Sequence, residues 1–289
     1  MEQHVLSAPK INLTLRVGPR KADGYHDLAS LFLRLPPIET LTIRTRSEDN
    51  VKDHIEVHSM VVEGENLLLR AAEGLRSMGW ALPGLDLSLW KKIPPGTGFG
   101  AGSGNAAAFL RWASLLMGRP VPPAFVRRLG ADIPFLLSGL SLAFVEGEGE
   151  RFKALSPLEG ITIVLIVPSW SSSTGTAFAR LDERRACEGL IPDHPLSWKD
   201  EADQVLQTLR AGRSVGLLPN DFSEELFEDH PQYLDLFGVA AEVQALAWGI
   251  SGSGSGAFVL FQKVDDEHVS PFMAALSTLS WINHLFVLE

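Results

Sequence analysis

The stretch that decides the fold reads Lys91-Lys92-Ile93-Pro94-Pro95-Gly96-Thr97-Gly98-Phe99-Gly100-Ala101-Gly102-Ser103-Gly104-Asn105-Ala106-Ala107. Five of the nine residues from 96 to 104 are glycine, which permits positive φ and close approach of the backbone to a ligand. An alternating strand precedes the stretch and an alanine-rich helix follows it. Unpaired N–H groups and the helix dipole favour an anion at such a helix start. The stretch therefore predicts a phosphate site; the alternative is a flexible glycine turn.

Two commoner phosphate motifs do not fit this loop. It lacks the Gly-Lys-Ser/Thr ending of a P-loop. The long βαβ unit and ribose-binding acid of a dinucleotide fold do not follow it either.

The hydrophobic pattern on both sides of the loop predicts an α+β protein. Alternating or continuous apolar runs predict strands at 41–44, 54–58, 85–89, 141–146, 161–167, 257–261 and 282–288. Helical spacing, caps and breakers predict helices at 66–79, 105–117, 176–182, 201–210, 221–236 and 271–279.

A glycine- and glutamate-rich segment, 147–151, interrupts this pattern. It predicts a boundary between an N-terminal domain, residues 1–150, and a C-terminal α+β domain, residues 151–289.

Composition narrows the class of protein. The chain has 289 residues and a formal net charge of -10, which argues against a general nucleic-acid-binding surface. The longest apolar run, 161–168, is too short to span a bilayer. Cys187 is the single cysteine, so intramolecular disulfides and a cysteine zinc cluster are excluded. Because the first residues lack a signal-peptide pattern, a cytoplasmic protein is expected.

Three short segments before residue 140 combine chemistry-bearing residues. Lys10 opens a strand that carries Asn12 on the same face. This polar face either forms part of a site or is merely solvated. Tyr25 and His26 follow an Asp-Gly turn, where they could read a base or simply pack. Asp132 lies inside an apolar stretch, where it is either functional or an N-cap.

Two further segments carry polar residues in a regular pattern. The Gly-Ser run at 251–256 leads directly into a strand, which favours a tight functional loop over a linker. His54, Glu56 and His58 share a strand face, but a solvated face is favoured over a metal site.

Taken together and in this order, these segments resemble the GHMP kinases. The lysine segment near the start, the Pro-x-Gly-x-Gly loop and the late Gly-Ser-Gly segment match the three signatures of that superfamily. The segments around Lys10, Tyr25-His26 and Asp132 resemble the diphosphocytidyl-methylerythritol kinases within it. The resemblance implies a two-domain fold with the active site in the interdomain cleft, and phosphorylation of the substrate 2-hydroxyl by ATP with Mg²⁺.

The resemblance also implies roles for individual residues. Lys10 and Asp132 match the catalytic pair. The residues that match ATP contacts are Asn66, Lys91, Pro94, Gly96, Gly98, Gly100, Gly102 and Ser103. The residues that match contacts of the cytidine diphosphate methylerythritol substrate are Asn12, Tyr25, His26, Phe32, Thr174 and Phe178. In this match Tyr25 and Phe178 stack on the two faces of the cytosine. No protein metal ligand is implied, and a homodimer is left open.

The loop departs from the family pattern at three positions. Phe99 replaces leucine, Ala101 replaces glycine and Gly104 replaces serine. We therefore expect weakened nucleotide binding, which the changes Ala101→Gly and Gly104→Ser should restore. The alternatives to the kinase above are another GHMP kinase, for homoserine or mevalonate, and a catalytically weak nucleotide-binding paralogue.

Overall fold

The computed structural model describes residues 2–46, 52–62, 64–190, 195–263 and 266–289. The strands in these ranges are β1 (Glu2–Ser7), β2 (Lys10–Arg20), β3 (His26–Arg34), β4 (Glu39–Arg46), β5 (His54–His58), β6 (Gly84–Trp90), β7 (Leu142–Gly147), β8 (Arg151–Ala154), β9 (Ile161–Pro168), β10 (Gly216–Leu217), β11 (Ala247–Ile250), β12 (Ala257–Gln262) and β13 (Ile282–Leu288). The helices are α1 (Leu67–Ser77), α2 (Ala101–Met117), α3 (Pro123–Leu129), α4 (Ile133–Ser138), α5 (Thr174–Glu188), α6 (Pro195–Arg210), α7 (Ser223–Asp229), α8 (Gln232–Glu242) and α9 (Asp266–Leu276). The predicted α+β class is confirmed.

The chain packs as two compact units, each built from separated segments. Unit 1 comprises Met1–Lys10, Arg34–Pro95 and Gly100–Leu140, and unit 2 comprises Ile11–Leu33, Gly96–Phe99 and Ser141–Glu289. The predicted domains, 1–150 and 151–289, divide the chain differently. Their boundary falls inside an antiparallel pair, because β7 and β8 are hydrogen-bonded to each other across residue 150.

Unit 1 contains a four-stranded sheet in the order β1-β4-β6-β5. The alternation of β6 buries Leu85, Leu87 and Leu89 on one face, as expected of a half-covered sheet. Helix α1 buries Leu68, Ala71, Ala72 and Leu75 along one stripe. The sequence period of two or of about 3.6 thus decides which side chains enter the core.

Unit 2 contains two sheets, with the orders β10-β11-β12-β9-β13 and β2-β3-β7-β8. Strand β9 is buried at every position and is paired on both sides, by β12 and β13. Its continuous apolar sequence is therefore the pattern of a central strand. Phe258 and Phe261 of β12, Tyr233 and Phe272 lie fully buried in the core of this unit.

The predicted strands are all present, but the predicted helices differ from the observed ones in their bounds. Helix α6 begins six residues earlier than predicted, α5 ends six residues later, and α9 is shifted toward the N-terminus.

Two further differences have a local physical cause. Helix α2 begins at Ala101, four residues before the predicted start. Gly100 stands at its N-cap in a left-handed conformation, φ 63°, which glycine permits and which turns the loop into the helix. The segment predicted as one helix over 221–236 contains two, α7 and α8. His230, at φ -135° and ψ 75°, ends the first, since a residue before proline is disfavoured in the helical region and Pro231 follows it.

Among the described residues, no helix has the length and apolar character needed to cross a membrane.

Candidate functional site

The start of helix α2 in unit 1 is a backbone anion site. No side chain caps it, and its first backbone hydrogen bond runs from Gly104 N to Gly100 O, 2.8 Å. The preceding N–H groups of Ala101, Gly102 and Ser103 therefore have no partner within the helix. Gly102 is exposed, and a Cβ placed on it would meet no atom within 4 Å. The arrangement fits a phosphate group approaching along the helix axis.

Lys10 and Asp132 meet beside this helix start. Lys10 Nζ lies 3.5 Å from Asp132 Oδ2, with the lysine side chain 4% exposed and the aspartate 25% exposed. A Cβ on Gly100 would lie 3.1 Å from both Asp132 Oδ2 and Lys10 Cε, so glycine is needed there for space as well as for its positive φ. Asp132 occupies the N-cap position of α4, as the alternative expected, but its side chain makes no capping hydrogen bond. Its carboxylate therefore does not serve to hold the start of that helix.

A buried carboxylate holds both ends of this segment in place. Glu39, 2% exposed, accepts hydrogen bonds from the backbone N–H groups of Lys92 and Ile93, both at 2.9 Å. It also accepts from Lys91 Nζ at 3.2 Å and from Asn105 Nδ2 at 2.7 Å. Because residues 91–93 enter the glycine-rich loop and Asn105 lies in α2, one side chain fixes the entrance and the exit of the loop. We name Glu39, Lys91 and Asn105 the Glu39 clamp.

The clamp changes how Lys91 must be interpreted. Its ammonium is buried on Glu39, and burial lowers the pKa of Lys91 although Glu39 opposes the shift. The ammonium is therefore committed to Glu39, and the contact of Lys91 with the adenosine of ATP stays a prediction. Asn66, the other predicted adenosine contact, accepts a hydrogen bond from Leu68 N at 2.9 Å and caps α1. Sequence reasoning missed Glu39, because a lone acid at a strand start gives no local signal.

The first half of the loop, Gly96 to Phe99, belongs to unit 2 and packs against the Gly-Ser run. Ser255 N and Gly256 N donate to the carbonyls of Gly96 and Thr97, both at 2.9 Å. A Cβ on Gly98 would lie 1.8 Å from Ser251 O. Gly96 and Gly98 are thus required for backbone packing. The Gly-Ser run is a tight, largely buried loop, so the linker alternative is wrong. A functional role for this loop stays a prediction.

Three predicted substrate contacts occupy the same unit in different environments. Asn12 is buried, donates to Ser30 Oγ at 2.9 Å and accepts from Ser251 Oγ at 3.4 Å. Its strand face is therefore not solvated. Phe32 is 2% exposed. Thr174 is exposed at the first turn of α5 and accepts from Ser253 Oγ at 3.2 Å.

The predicted base-reading pair follows a tight turn in unit 2. Lys21 N donates to Tyr25 O at 2.8 Å, and Gly24 supplies the positive φ, 87°. Tyr25 is 64% exposed. The ring of His26 stacks on Phe178, with centroids 4.9 Å apart. Phe178 therefore supports the histidine, and its predicted place on the cytosine opposite Tyr25 stays a prediction.

The departures from the family loop are explained by packing. Ala101 lies within the first turn of α2, where an ordinary helical φ suits alanine. Phe99 is fully buried, and a Cβ on Gly256 would lie 2.3 Å from its ring. A Cβ on Gly104 would lie 2.3 Å from Ala8 O. The backbone of Ala8 thus occupies the space that a serine side chain would need, which argues against the expectation that Gly104→Ser improves nucleotide binding.

The described ranges contain no group of three or more His, Cys, Asp or Glu that could hold a metal ion. On the strand face of His54 and Glu56, His58 instead stacks on Trp90 at 4.4 Å and bonds Ser88 Oγ at 2.8 Å.

Comparison with known proteins finds a matching family and relatives that are named as kinases. Residues 66–141 match the family described as GHMP kinases N terminal domain. A 4-diphosphocytidyl-2-C-methyl-D-erythritol kinase of Chlorobaculum tepidum is 30% identical over 89% of this chain and 88% of its own length. The enzyme of the same name from Solidesulfovibrio magneticus is 33% identical over 91% of this chain and 90% of its own.

Solved structures agree with these relatives. A crystal structure of 4-(cytidine 5'-diphospho)-2C-methyl-D-erythritol kinase superposes with a TM-score of 0.76 and 29% identity, covering 100% of this chain and 98% of that one. A mevalonate kinase of Staphylococcus aureus superposes with a TM-score of 0.60 at 14% identity, covering 99% of this chain and 98% of that one, which is a likeness of fold alone.

The Glu39 clamp predicts a large loss of stability in Glu39→Gln. The neutral amide leaves the Lys91 charge buried without a counter-charge and turns an N–H₂ group toward other donors. Breaking a buried pair on one side costs about 3–5 kcal/mol. Urea denaturation should show this loss, whereas Glu56→Gln, at an exposed acid of the same unit, should change the free energy of unfolding by less than about 1 kcal/mol. Equal stability of the two variants would contradict the clamp.

The close approach at Gly104 predicts that Gly104→Ser destabilises the protein by about 1–3 kcal/mol, because an added side chain must displace backbone. It should not tighten binding of an ATP analogue measured by calorimetry. The matched control is Gly238→Ser in α8, where a Cβ meets no atom within 4 Å. An unchanged melting temperature together with stronger nucleotide binding in Gly104→Ser would overturn this assignment.

Proposed function

This chain belongs to the family of 4-diphosphocytidyl-2-C-methyl-D-erythritol kinases, and we propose from that premise that it transfers the γ-phosphoryl group of ATP to the 2-hydroxyl of 4-diphosphocytidyl-2-C-methyl-D-erythritol. The products are ADP and the 2-phosphate. The reaction serves the non-mevalonate route to isoprenoid precursors.

The observation that carries this proposal is the Lys10–Asp132 pair beside the uncapped start of α2. We assign Asp132 the proton of the acceptor hydroxyl. As that proton moves to the carboxylate, the hydroxyl oxygen bonds to the γ-phosphorus and the bond from phosphorus to the bridging oxygen of ADP breaks. The ammonium of Lys10 orients the carboxylate and offsets negative charge that develops between donor and acceptor. Such a transfer depends mainly on positioning and charge stabilisation.

We assign the phosphates of ATP to the backbone N–H groups of Gly102 and Ser103 at the start of α2. An anion fits there because the N–H groups are unsatisfied and the space above Gly102 is open. ATP is taken to enter as its magnesium complex, in which the metal offsets phosphate charge. Gly100 contributes through the helix cap. Pro94, Gly96 and Gly98 shape the loop that leads to it.

The cytosine is assigned to Tyr25 and His26. The exposed ring of Tyr25 offers a stacking surface, and the polar ring of His26 offers a hydrogen bond to the base edge. Phe178 contributes by holding His26. Asn12, Phe32 and Thr174 remain proposed contacts of the rest of the substrate.

The net charge of the chain bears on which classes of partner it binds. A net charge of -10 supports a small-molecule substrate without nucleic-acid binding. A cytoplasmic location and a homodimer stay predictions, and the second can be tested by the solution mass.

The proposed function is tested by coupled measurement of ADP release with three acceptors. We expect turnover with 4-diphosphocytidyl-2-C-methyl-D-erythritol and background rates with homoserine and with mevalonate. A reaction without acceptor controls for ATP hydrolysis. Equal turnover of homoserine would show that the substrate assignment is wrong, and background rates with all three acceptors would favour the catalytically weak paralogue.

The role of Asp132 predicts the behaviour of Asp132→Asn. The amide keeps the shape of the side chain but does not accept the proton, and loss of a general base costs about a hundredfold to ten-thousandfold in kcat. The matched control is Asp235→Asn, at an exposed aspartate of α8, which should keep normal turnover. Circular dichroism should show both variants folded. Turnover of Asp132→Asn within about twofold of the unchanged protein would exclude Asp132 as the base.

A further inference from the structure

Helix α5 holds the ring of His26 on two sides. Asp182 Oδ1 lies 2.9 Å from His26 Nε2. Phe178, one turn earlier in the same helix, stacks on the face of the ring at an interplanar angle of 28°. The His26 side chain is 5% exposed and Asp182 26% exposed. The orientation of the imidazole is therefore fixed by a contact at its edge and a contact on its face.

The edge contact also decides which ring nitrogen carries the proton. An ionised carboxylate only accepts hydrogen bonds, so Nε2 must donate to Asp182. In the neutral ring the other nitrogen, Nδ1, then has a lone pair and accepts. Among the described residues, Nδ1 has no hydrogen-bond partner of its own, which leaves it available to a ligand.

We propose that Asp182 is a positioning residue that makes His26 a hydrogen-bond acceptor and thereby selects cytosine over uracil. This inference rests on the proposed function, in which His26 reads the base. Cytosine presents an amino group, a donor, at the ring position where uracil presents a carbonyl oxygen, an acceptor. An acceptor at Nδ1 accepts a hydrogen bond from the amino group of cytosine. With uracil it faces another acceptor, the carbonyl oxygen, and no hydrogen bond forms. A buried site of this kind rejects the analogue that leaves it unpaired.

The variant Asp182→Asn tests the selectivity. Its amide can accept from Nε2–H or donate to an unprotonated Nε2, so neither tautomer of His26 is enforced. We expect the ratio of kcat/KM for the cytidine substrate to that for its uridine analogue to fall about tenfold, the equivalent of one hydrogen bond. The change should lie in KM for the cytidine substrate, with kcat nearly unchanged. The matched control is Glu183→Gln, which removes the same charge from an exposed position of α5 and should leave the ratio unchanged.

A second measurement reads the tautomer directly. Nitrogen-15 NMR of the ligand-free protein, with the His26 signals assigned by their loss in His26→Ala, should show a neutral ring protonated at Nε2, and a mixture of tautomers in Asp182→Asn. A ring protonated at Nδ1, or at both nitrogens, in the unchanged protein would overturn the proposal.

The kinetics separate this inference from the function on which it rests. If His26→Ala raises KM for the cytidine substrate while Asp182→Asn keeps the selectivity ratio, the role of Asp182 is wrong and the cytosine assignment stands. If His26→Ala leaves that KM unchanged, the cytosine assignment itself is wrong.

Discussion

The candidate site depends on one buried negative charge. Glu39 is stable in the interior only because four donors surround it, and those donors lie on both sides of the glycine-rich loop. Satisfying that carboxylate therefore fixes where strand β6 ends and how α2 is held. The backbone N–H groups at the start of α2 depend on it, because Asn105 lies in the second turn of the same helix. A buried pair of this kind costs desolvation energy. Here the hydrogen bonds from the four donors to Glu39 offset that cost, and they hold the loop in one geometry.

The glycines of the loop show how one composition serves two physical purposes. Gly98 has no side chain because another backbone segment occupies the space. Gly100 has none because the catalytic candidates Lys10 and Asp132 lie beside it, and because its φ is positive. Gly102 faces open space. A sequence pattern of alternating glycines does not distinguish close packing from ligand access, and only the contacts separate the two.

The sequence pattern predicted those features that are determined by residues close together in the chain. The alternation of β6 and the apolar run of β9 identified their strands, and the apolar stretch around Asp132 marked that residue as a candidate for function. Glu39 and Asp182 were not found, because each acts through partners 52 to 66 and 156 residues away, respectively. Gly104 was misjudged for the same reason, since the atom that excludes a side chain there belongs to Ala8.

The interleaved segments of the two units have a consequence for synthesis of the chain. Residues 11–33 leave the ribosome well before the other long segment of unit 2, which begins at Ser141. Strand β3 pairs with β7, as in Leu31 with Phe144, so its outer edge is unpaired until more than a hundred further residues have been made. Pairings between such distant segments form slowly. The nascent chain therefore carries an open, apolar strand edge, which chaperones would recognise.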